Sequence, residues 1–391
     1  MRKLASLILL LLVGCGPTPN QIAHTPSPSG KPAAKVELLF AVLEAHGADA
    51  NAYPPLHDTV AIVGLDGYAR AKQTFEPRKR PFIGNAAPHL QPEARVAAGK
   101  VFYADGTGKT RSLSASGAVS DVASFPISQA QQELAFAVSP GGNAILATVL
   151  TLPPRNPNAQ TPADPPFSPG DARIDLLRAS TGGSTEAVRS WSFPLTNRAP
   201  IYQMVAWDPV GPVATVDTPL GGQDYTGYEQ WFGHASRLDS SGQAGPTLGG
   251  TDCLAVGESA DGNVIVCSDR AKVTVRRASG DVLWSLPSDF PRTGYGSLAL
   301  SPDGARLAYA DIGHNRHAAV SGRDGSTTSL PNGFLPQGWL DATTVIGVQS
   351  ENLVDLGNMA LVRLSEPTKL EDLGFKGFFI GVVQGAKAQP T

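Results

Sequence analysis

The sequence predicts an all-β fold in which short antiparallel hairpins are repeated along the chain. Residues 297–311 carry apolar side chains at alternate positions on both sides of the turn Ser301-Pro302-Asp303-Gly304, which is typical of a β-hairpin. Similar hairpins recur through the chain, and 42 glycines and 33 prolines supply the turns between them. A hydrophobic content of 41% indicates that these strands bury a core. Repeats of this kind must stack on each other to bury their faces, which favours a β-propeller.

The first segment, residues 1–14, is typical of an export signal. Arg2 and Lys3 precede an apolar run that ends at Val13. This run is too short to cross a bilayer core of about 30 Å as a helix, but it suits the apolar region of a signal peptide. We therefore expect the folded part of the protein to lie outside the cytoplasm.

The signal ends in the residues Leu12-Val13-Gly14-Cys15, which resemble the lipobox of bacterial lipoproteins. The resemblance implies that Cys15 receives diacylglycerol, that cleavage removes residues 1–14, and that acyl chains such as palmitate anchor the new amino terminus in a membrane. An ordinary secretory signal followed by a chance cysteine is the alternative.

Residues 15–34 are rich in proline, serine and threonine and have one sizeable apolar residue, Ile22. Such a segment cannot bury enough surface to fold, so we expect an extended tether. The propeller is predicted to cover residues 35–384, and residues 385–391 a flexible tail. A formal net charge of −3 without a run of Lys or Arg argues against a nucleic-acid partner.

Two series of hairpin turns interleave along the predicted propeller. Besides residues 297–311, the inner series covers residues 135–149, 205–216, 254–268 and 338–348. The outer series turns near Asp66-Gly67, Asp105-Gly106, Thr181-Gly182-Gly183, Ser240-Ser241-Gly242, Ser279-Gly280-Asp281, Asp324-Gly325 and Glu366-Pro367. One outer turn per four-stranded sheet predicts seven blades.

Small and apolar residues alternate before the turns Ser301-Pro302-Asp303-Gly304 and Ser139-Pro140-Gly141-Gly142. This pattern resembles the blade repeat of the TolB-like and WD-type β-propellers. Residues 273–286, with a glycine turn before Trp284, are also similar to quinoprotein-type propeller repeats. Relatives of these kinds include envelope proteins that bind other proteins. The resemblance is one of fold and assigns no functional residue.

The chain is predicted to close its ring with its two ends. Residues 374–383 form a strand without a hairpin partner of its own, and we expect it to pair with the strand at 36–43.

Two insertions, residues 151–171 and 219–235, break the regular spacing. The second contains the candidate binding residues Tyr225, Tyr228, Trp231 and Phe232, whose rings suit a saccharide or protein partner. Packing of these rings on the blade edges is the alternative.

Cys253 and Cys267 lie at equal distances from residue 260, inside the turn Ser259-Ala260-Asp261-Gly262. In a hairpin this symmetry places them opposite each other, and export to an oxidising compartment favours a disulfide bond. Two buried thiols are the alternative, and a zinc site has too few partner ligands.

The remaining patterns point to weak sites or to none. Asp311, His314 and His317 have a spacing that suits metal binding, but a loop gives these side chains no common face. The stretch Gly106-Thr107-Gly108-Lys109-Thr110 is predicted to be turn chemistry and not a phosphate-binding loop, and no nucleophile motif of the form G-x-S-x-G occurs. We expect no cofactor.

These observations predict a lipid-anchored, extracytoplasmic propeller that acts as a non-catalytic scaffold for a protein or ligand at the cell envelope. The alternatives are a propeller enzyme (a lyase, cyclotransferase or glycosidase) and a quinone or small-ligand binder. Both would use the centre of the ring, and carboxylates with shifted acidity there would favour them.

Overall fold

The computed structural model describes residues 37–44, 58–76, 94–128, 131–154, 156–158, 167–194, 201–217, 233–268, 272–286, 297–310, 317–349 and 357–384. These residues form seven four-stranded antiparallel sheets and contain no helix. The sheets are the blades of a β-propeller, so the predicted fold class is confirmed. Within the described ranges, no helix is long and apolar enough to cross a membrane.

We call the strands of each blade A to D, from the centre of the ring outward. Blade 1 consists of β28 (Phe378–Gln384), β1 (Leu39–Glu44), β2 (Asp58–Gly64) and β3 (Ala69–Phe75). Blade 2 consists of β4 (Ala94–Ala97), β5 (Lys100–Ala104), β6 (Lys109–Ser114) and β7 (Val119–Ser124). Blade 3 consists of β8 (Gln132–Val138), β9 (Ala144–Thr151), β10 (Asp171–Ser180) and β11 (Thr185–Pro194). Blade 4 consists of β12 (Gln203–Trp207), β13 (Pro212–Thr215), β14 (Ala235–Leu238) and β15 (Ala244–Thr247).

The last three blades follow the same order along the chain. Blade 5 consists of β16 (Ala255–Glu258), β17 (Val264–Ser268), β18 (Val273–Arg277) and β19 (Val282–Ser285). Blade 6 consists of β20 (Ser297–Leu300), β21 (Arg306–Ala310), β22 (Ala318–Gly322) and β23 (Thr327–Ser329). Blade 7 consists of β24 (Phe334–Trp339), β25 (Thr344–Gln349), β26 (Met359–Arg363) and β27 (Glu371–Asp372). The seven A strands surround the axis of the ring, which we call the central channel.

The core lies between the blades. Apolar residues of blades 4 and 5, for example, form one buried cluster that includes Val205, Val213 and Ile265. Comparable clusters join blades 1 and 2, 2 and 3, 3 and 4, and 5 and 6, while a larger one joins blades 6, 7 and 1. Each sheet buries both of its faces against its neighbours. The strands in the inner half of each blade therefore consist almost entirely of small and apolar residues.

The ring is closed as the sequence predicts. β28 pairs with β1 in antiparallel register, from Leu39 opposite Gln384 to Leu43 opposite Phe378. Phe379 packs over Gly338 of the neighbouring blade, where a Cβ atom would lie 2.3 Å from the phenyl ring. The strand from the carboxyl end therefore completes blade 1 and seals it against blade 7.

The turns between A and B strands are held by a short hydrogen-bonded motif. In blade 6, Ser301 Oγ donates to Asp303 Oδ1 (2.6 Å) and accepts from the amide of Arg306 (2.9 Å). Gly304 follows with a φ of 67°, a conformation that glycine adopts without strain. Blade 5 repeats the motif with Ser259 and Asp261. The serine, aspartate and glycine of this turn thus each have a distinct structural role.

One of the predicted outer turns is wrong. Asp105-Gly106 joins β5 to β6, whereas the outer turn of blade 2, between β6 and β7, lies at 115–118. The A–B turn of blade 2 consists only of Ala98 and Gly99, so this blade lacks the serine motif that marks its neighbours. The prediction that residues 106–110 belong to a hairpin turn is nevertheless confirmed, because Asp105 Oδ1 accepts hydrogen bonds from the amides of Thr107 and Lys109.

Candidate functional site

Blade 4 carries a carboxylate where the neighbouring blades carry the turn serine. Asp208 occupies this position, and its side chain is buried. Its Oδ1 atom accepts hydrogen bonds from the amides of Val210 (2.7 Å) and Gly211 (2.8 Å). The carboxylate thus performs the backbone-holding role of the serine and brings a negative charge into the ring.

Arg237 on β14 neutralises this charge and connects two blades. Its Nε and Nη2 atoms donate to Asp208 Oδ2 at 2.7 and 2.5 Å, and Nη2 also donates to the carbonyl oxygen of Gly262 at 2.6 Å. Gly262 belongs to the A–B turn of blade 5, and a Cβ atom there would lie 2.2 Å from Asp208 Oδ2. The ion pair therefore needs a glycine at this position.

Glu258, the last residue of β16, lies beside this ion pair. Its side chain is half-buried, and its Oε2 atom is shielded from solvent without a hydrogen-bond partner among the described residues. Burial raises the pKa of Glu258 to about 8, and the charge of Asp208 contributes in the same direction. Arg237 and Arg95 oppose this rise, and Asp261 adds to it weakly. Glu258 is thus mainly a neutral carboxylic acid at pH 7.

Arg95 on β4 reaches into the central channel from blade 2. Its Nε atom donates to the carbonyl oxygen of Phe136 on β8, and its Nη2 atom donates to that of Met204 on β12, both at 3.3 Å. The innermost strand of each blade has no further strand on its inner side to bond to its carbonyl oxygens. A guanidinium group that donates to these oxygens partly replaces those hydrogen bonds. Arg95 therefore links blades 2, 3 and 4 at the centre of the ring.

Three A strands carry a β-bulge at the same distance from their turns. The register shifts at Val205 in β12, at Val256 in β16 and at Gln337 in β24. A bulge changes the direction of the side chains that follow it. In β16 the bulge is followed by Gly257, so Glu258 is the first residue after it that carries a side chain. Gln337 uses its bulge to accept a hydrogen bond from the amide of Phe379 (2.8 Å) on the closing strand.

The disulfide bond between Cys253 and Cys267 is present, with a Cα–Cα distance of 5.0 Å. The predicted register is wrong in detail, because Ala255 and not Cys253 lies opposite Cys267. The bulge in β16 accounts for a shift of the pairing, and Cys253 reaches its partner from the connection that precedes the strand. The bond lies in the cluster between blades 4 and 5, where its sulfur atoms lie under Gly249.

Most residues of the other predicted sites lie outside the described residues. This applies to the lipidation residue Cys15, to the aromatic residues Tyr225, Tyr228, Trp231 and Phe232, and to Asp311 and His314 of the weak metal candidate. His317 is described and exposed. Among the described residues, no group of three or more potential metal ligands occurs.

Sequence reasoning did not single out Arg95, Asp208, Arg237 or Glu258. One signal points to Glu258: it precedes a Ser-x-Asp-Gly turn at the position where Val138 and Leu300 stand before theirs. A carboxylate at an otherwise apolar position of an inner strand departs from the repeat. The sequence could not show that the charge of Arg95 acts on Glu258. The two residues are 163 positions apart along the chain, and only the folded ring relates them.

No protein-family model and no curated protein matches the chain. Solved propellers do match it. An oligogalacturonate lyase in complex with manganese is 9% identical, with a TM-score of 0.47, over 83% of this chain and 89% of the lyase. TolB from Acinetobacter baumannii is 14% identical, with a TM-score of 0.36, over 88% of this chain and 65% of TolB. BamB from Moraxella catarrhalis is 11% identical, with a TM-score of 0.39, over 74% of this chain and 75% of BamB.

These neighbours include a TolB propeller, the kind of protein that the hairpin repeat resembles. At identities this low the likeness extends to the fold alone, and no residue role follows from it.

Proposed function

We propose that the protein is a recognition propeller of the bacterial cell envelope. In this proposal, a lipid on Cys15 anchors it outside the cytoplasm, and it binds a protein or saccharide partner through one face of its ring without catalysing a reaction. The observation that carries the proposal is the difference between the connections at the two faces.

Consecutive connections of an antiparallel blade alternate between the two faces of the ring. The A–B and C–D connections define the short-turn face, where the longest connection covers residues 364–370. The B–C and D–A connections define the long-connection face, which carries residues 76–93, 152–170 and 216–234. Long, irregular connections on a rigid scaffold are where binding functions are concentrated.

Half-buried aromatic residues support a binding role for the long-connection face. Trp191, near the end of β11, and Tyr202, just before β12, meet edge to face with ring centroids 4.7 Å apart. They lie between blades 3 and 4, the two blades that carry connections 152–170 and 216–234. Aromatic surfaces of this kind provide rigid contact area for saccharide rings and protein partners.

The path of the chain agrees with this assignment. β1 runs from Leu39, at the short-turn face, to Glu44, where the connection to β2 begins on the long-connection face. Connections 152–170 and 216–234 begin and end at the long-connection face, opposite the face at which β1 begins.

Crosslinking in the native envelope tests the proposal. The full-length protein is crosslinked in its own membrane, and captured partners are compared for wild type, Tyr225→Ala/Trp231→Ala and the matched variant Leu65→Ala/Tyr68→Ala. The matched pair lies in a turn of the short-turn face, where Tyr68 is 72% exposed. We expect the first variant alone to lose the partner that wild type captures. Equal capture by all three proteins contradicts the proposal, and binding to purified envelope polysaccharide distinguishes a saccharide from a protein partner.

A second candidate function is use of the central channel, by a propeller enzyme or by a small-ligand binder. The observation that favours it is Glu258, an inner-strand carboxyl group whose pKa is raised to about 8. Carboxyl groups tuned in this way occur at sites of catalysis and binding, and also in purely structural networks.

A further inference from the structure

Asn332 and Gly333 form the one Asn-Gly pair in the sequence, and they lie in the connection from β23 of blade 6 to β24 of blade 7. An asparagine before a glycine can lose ammonia without an enzyme. The following backbone nitrogen is within reach of its Cγ atom, and glycine has no Cβ atom to hinder the approach. Five Asp-Gly pairs can form the same cyclic intermediate: Asp66-Gly67, Asp105-Gly106, Asp261-Gly262, Asp303-Gly304 and Asp324-Gly325.

Asn332 occupies the second position of a tight turn. The amide of Phe334 donates to the carbonyl oxygen of Pro331 (3.2 Å), and Gly333 has a φ of 76°. A positive φ at the third position is typical of a type II turn, and glycine adopts it without strain. The hydrogen bond that closes this turn therefore uses the amide of Phe334 and not that of Gly333.

The five Asp-Gly pairs differ from this turn in the state of the glycine amide. Four of these amides donate to the carbonyl oxygen three residues earlier, and Gly106 donates to that of Glu76, at distances of 2.8–3.0 Å. Attack by a bonded amide nitrogen requires loss of its proton and therefore of its hydrogen bond, which disfavours the reaction. The amide of Gly333 has no hydrogen-bond partner among the described residues.

The side chains that precede the glycines differ in the same way. Asp303 Oδ1 accepts from Ser301 Oγ (2.6 Å) and from the amide of Ala305 (3.0 Å), so its carboxylate is held in the turn. Asn332 is exposed, and its side chain has no hydrogen-bond partner within the described ranges. Both groups that must react are thus unconstrained by hydrogen bonds at Asn332-Gly333, whereas both are bonded at Asp303-Gly304.

We propose that Asn332 is a site of spontaneous modification, at which the folded protein converts asparagine to aspartate and isoaspartate. The nitrogen of Gly333, after loss of its proton, attacks Cγ of Asn332. The new N–Cγ bond forms, the Cγ–Nδ2 bond breaks, and ammonia leaves with the proton that it needs from water. Water then opens the five-membered imide: cleavage of the N–Cγ bond gives aspartate, and cleavage of the other N–C bond gives isoaspartate, whose main chain runs through Cγ.

The two products change the connection between blades 6 and 7. Both add a negative charge to the long-connection face, to which the D–A connection 330–333 belongs. Isoaspartate also inserts a methylene group into the main chain two residues before Phe334, which is buried in the cluster that joins blades 6, 7 and 1. The isoaspartate form should therefore have a lower melting temperature than the aspartate form.

Peptide mapping by mass spectrometry of the full-length protein, incubated folded and in urea, tests the proposal. We expect Asn332 to be the asparagine that is modified fastest in the folded protein. Its rate should differ by less than about twofold between the folded protein and urea, because no hydrogen bond to a described residue has to break first. Isomerisation of Asp303 should be at least roughly fivefold slower in the folded protein than in urea, because its hydrogen bonds must break.

The chain supplies its own controls. Asn143 and Asn263 have side chains that bond to Ser139 and Asp261, and each precedes a residue with a Cβ atom, so both should be modified more slowly than Asn332. Asn332→Gln should abolish the modification at this turn, because glutamine would have to close a larger ring. Asn332→Asp provides the reference for the aspartate product. Because the attack requires loss of a proton, the rate at Asn332 should be higher at pH 9 than at pH 7.

An Asn332 that stays intact in the folded protein but is modified in urea overturns the inference, because the fold would then protect it. Equal protection of Asn332 and Asp303 by folding also overturns it, and so does a rate at Asn332 that does not change with pH. The reaction needs only water, so this inference goes beyond the proposed function and does not depend on it. Its outcome leaves partner capture by the Tyr225→Ala/Trp231→Ala protein as a separate measurement.

Discussion

The two faces of the ring are built from the same strands but differ in how their connections are specified. On the short-turn face, side chains hold the backbone at almost every turn: Asp239 accepts from the amides of Ser241 and Gln243, and Asp324 from the amide of Ser326. On the long-connection face, connections such as 152–170 and 216–234 far exceed the length that a turn requires. Asp105 holds the turn 105–108 of the long-connection face in the same way, so the two faces differ in the length of their longest connections and not in every turn.

If the scaffold depends on ring closure, deletion of the closing strand should have the largest effect. Removal of residues 376–391 exposes the apolar surface that Phe379, Ile380 and Val383 bury in the wild type. Burial of each such side chain contributes about 1.5–3 kcal/mol, so we expect a loss of several kcal/mol and of cooperative unfolding. Thermal denaturation followed by circular dichroism measures it. An unchanged melting temperature would show that β28 is dispensable for closure.

The buried ion pair between blades 4 and 5 should have the next largest effect. Asp208→Ala leaves Arg237 without its partner and releases the A–B turn of blade 4. Removal of one member of a buried pair typically costs about 3–5 kcal/mol. The matched variant Asp281→Ala removes an exposed partner of Arg277 at 3.9 Å and should cost less than about 1 kcal/mol. Urea denaturation compares the two, and equal losses would contradict a special role for Asp208.

Glu258 should make stability depend on pH in a direction opposite to that of most carboxylates. Its pKa rises from 4.5 to about 8 on folding, so the folded state retains the proton more tightly. The stability that Glu258 contributes is fully present below pH 4.5. It is lost progressively between pH 4.5 and about pH 8, and no further loss occurs above that. One pKa unit corresponds to about 1.4 kcal/mol, so the full shift corresponds to at most about 5 kcal/mol, which solvent screening of the half-buried side chain reduces.

The measurement is the difference in unfolding free energy between Glu258→Gln and wild type from pH 4.5 to pH 9. This difference isolates Glu258 from carboxylates such as Asp261 and Asp324, whose pKa values are lowered by hydrogen bonds from Ser259 and Ser326. We expect the unfolding free energy of Glu258→Gln to increase relative to that of wild type as pH rises. Glu366→Gln should show no such trend. A constant difference would mean that Glu258 titrates normally.

The smallest effect is expected on the long-connection face. Replacement of residues 159–166 by a Gly-Ser linker of equal length should change the unfolding free energy by less than about 0.5 kcal/mol, because β9 and β10 already pair along their length and the loop that joins them keeps its length. Replacement of Asp239 by Ala in the short turn of blade 4 removes the acceptor for the backbone amides of Ser241 and Gln243, and it should cost more. If both replacements cost the same, the contrast between the faces fails.

The propeller could be predicted because its signal is local and repeated. Alternating small and apolar residues around Ser301 and Ser259 specify hairpins by themselves, and the strand at 374–383 has no local partner, which predicts closure with the first strand. The misplaced outer turn of blade 2 shows the limit of this reasoning. Where Ala98-Gly99 replaces the serine motif, the next glycine turn along the chain was taken for the outer one.

The sequence alone determined the all-β class, the repeat, the ring closure and the pairing of Cys253 with Cys267, since each depends on residues that are neighbours in one hairpin or on a strand that lacks a partner. Only the tertiary structure decided that Arg95 bonds to the inner strands of two other blades and that Arg237 joins Asp208 to the turn of the next blade. These contacts arise between blades, where the angle and spacing of whole sheets set the distances. No local periodicity records that arrangement, and it is there that the charges of this protein acquire their unusual environment.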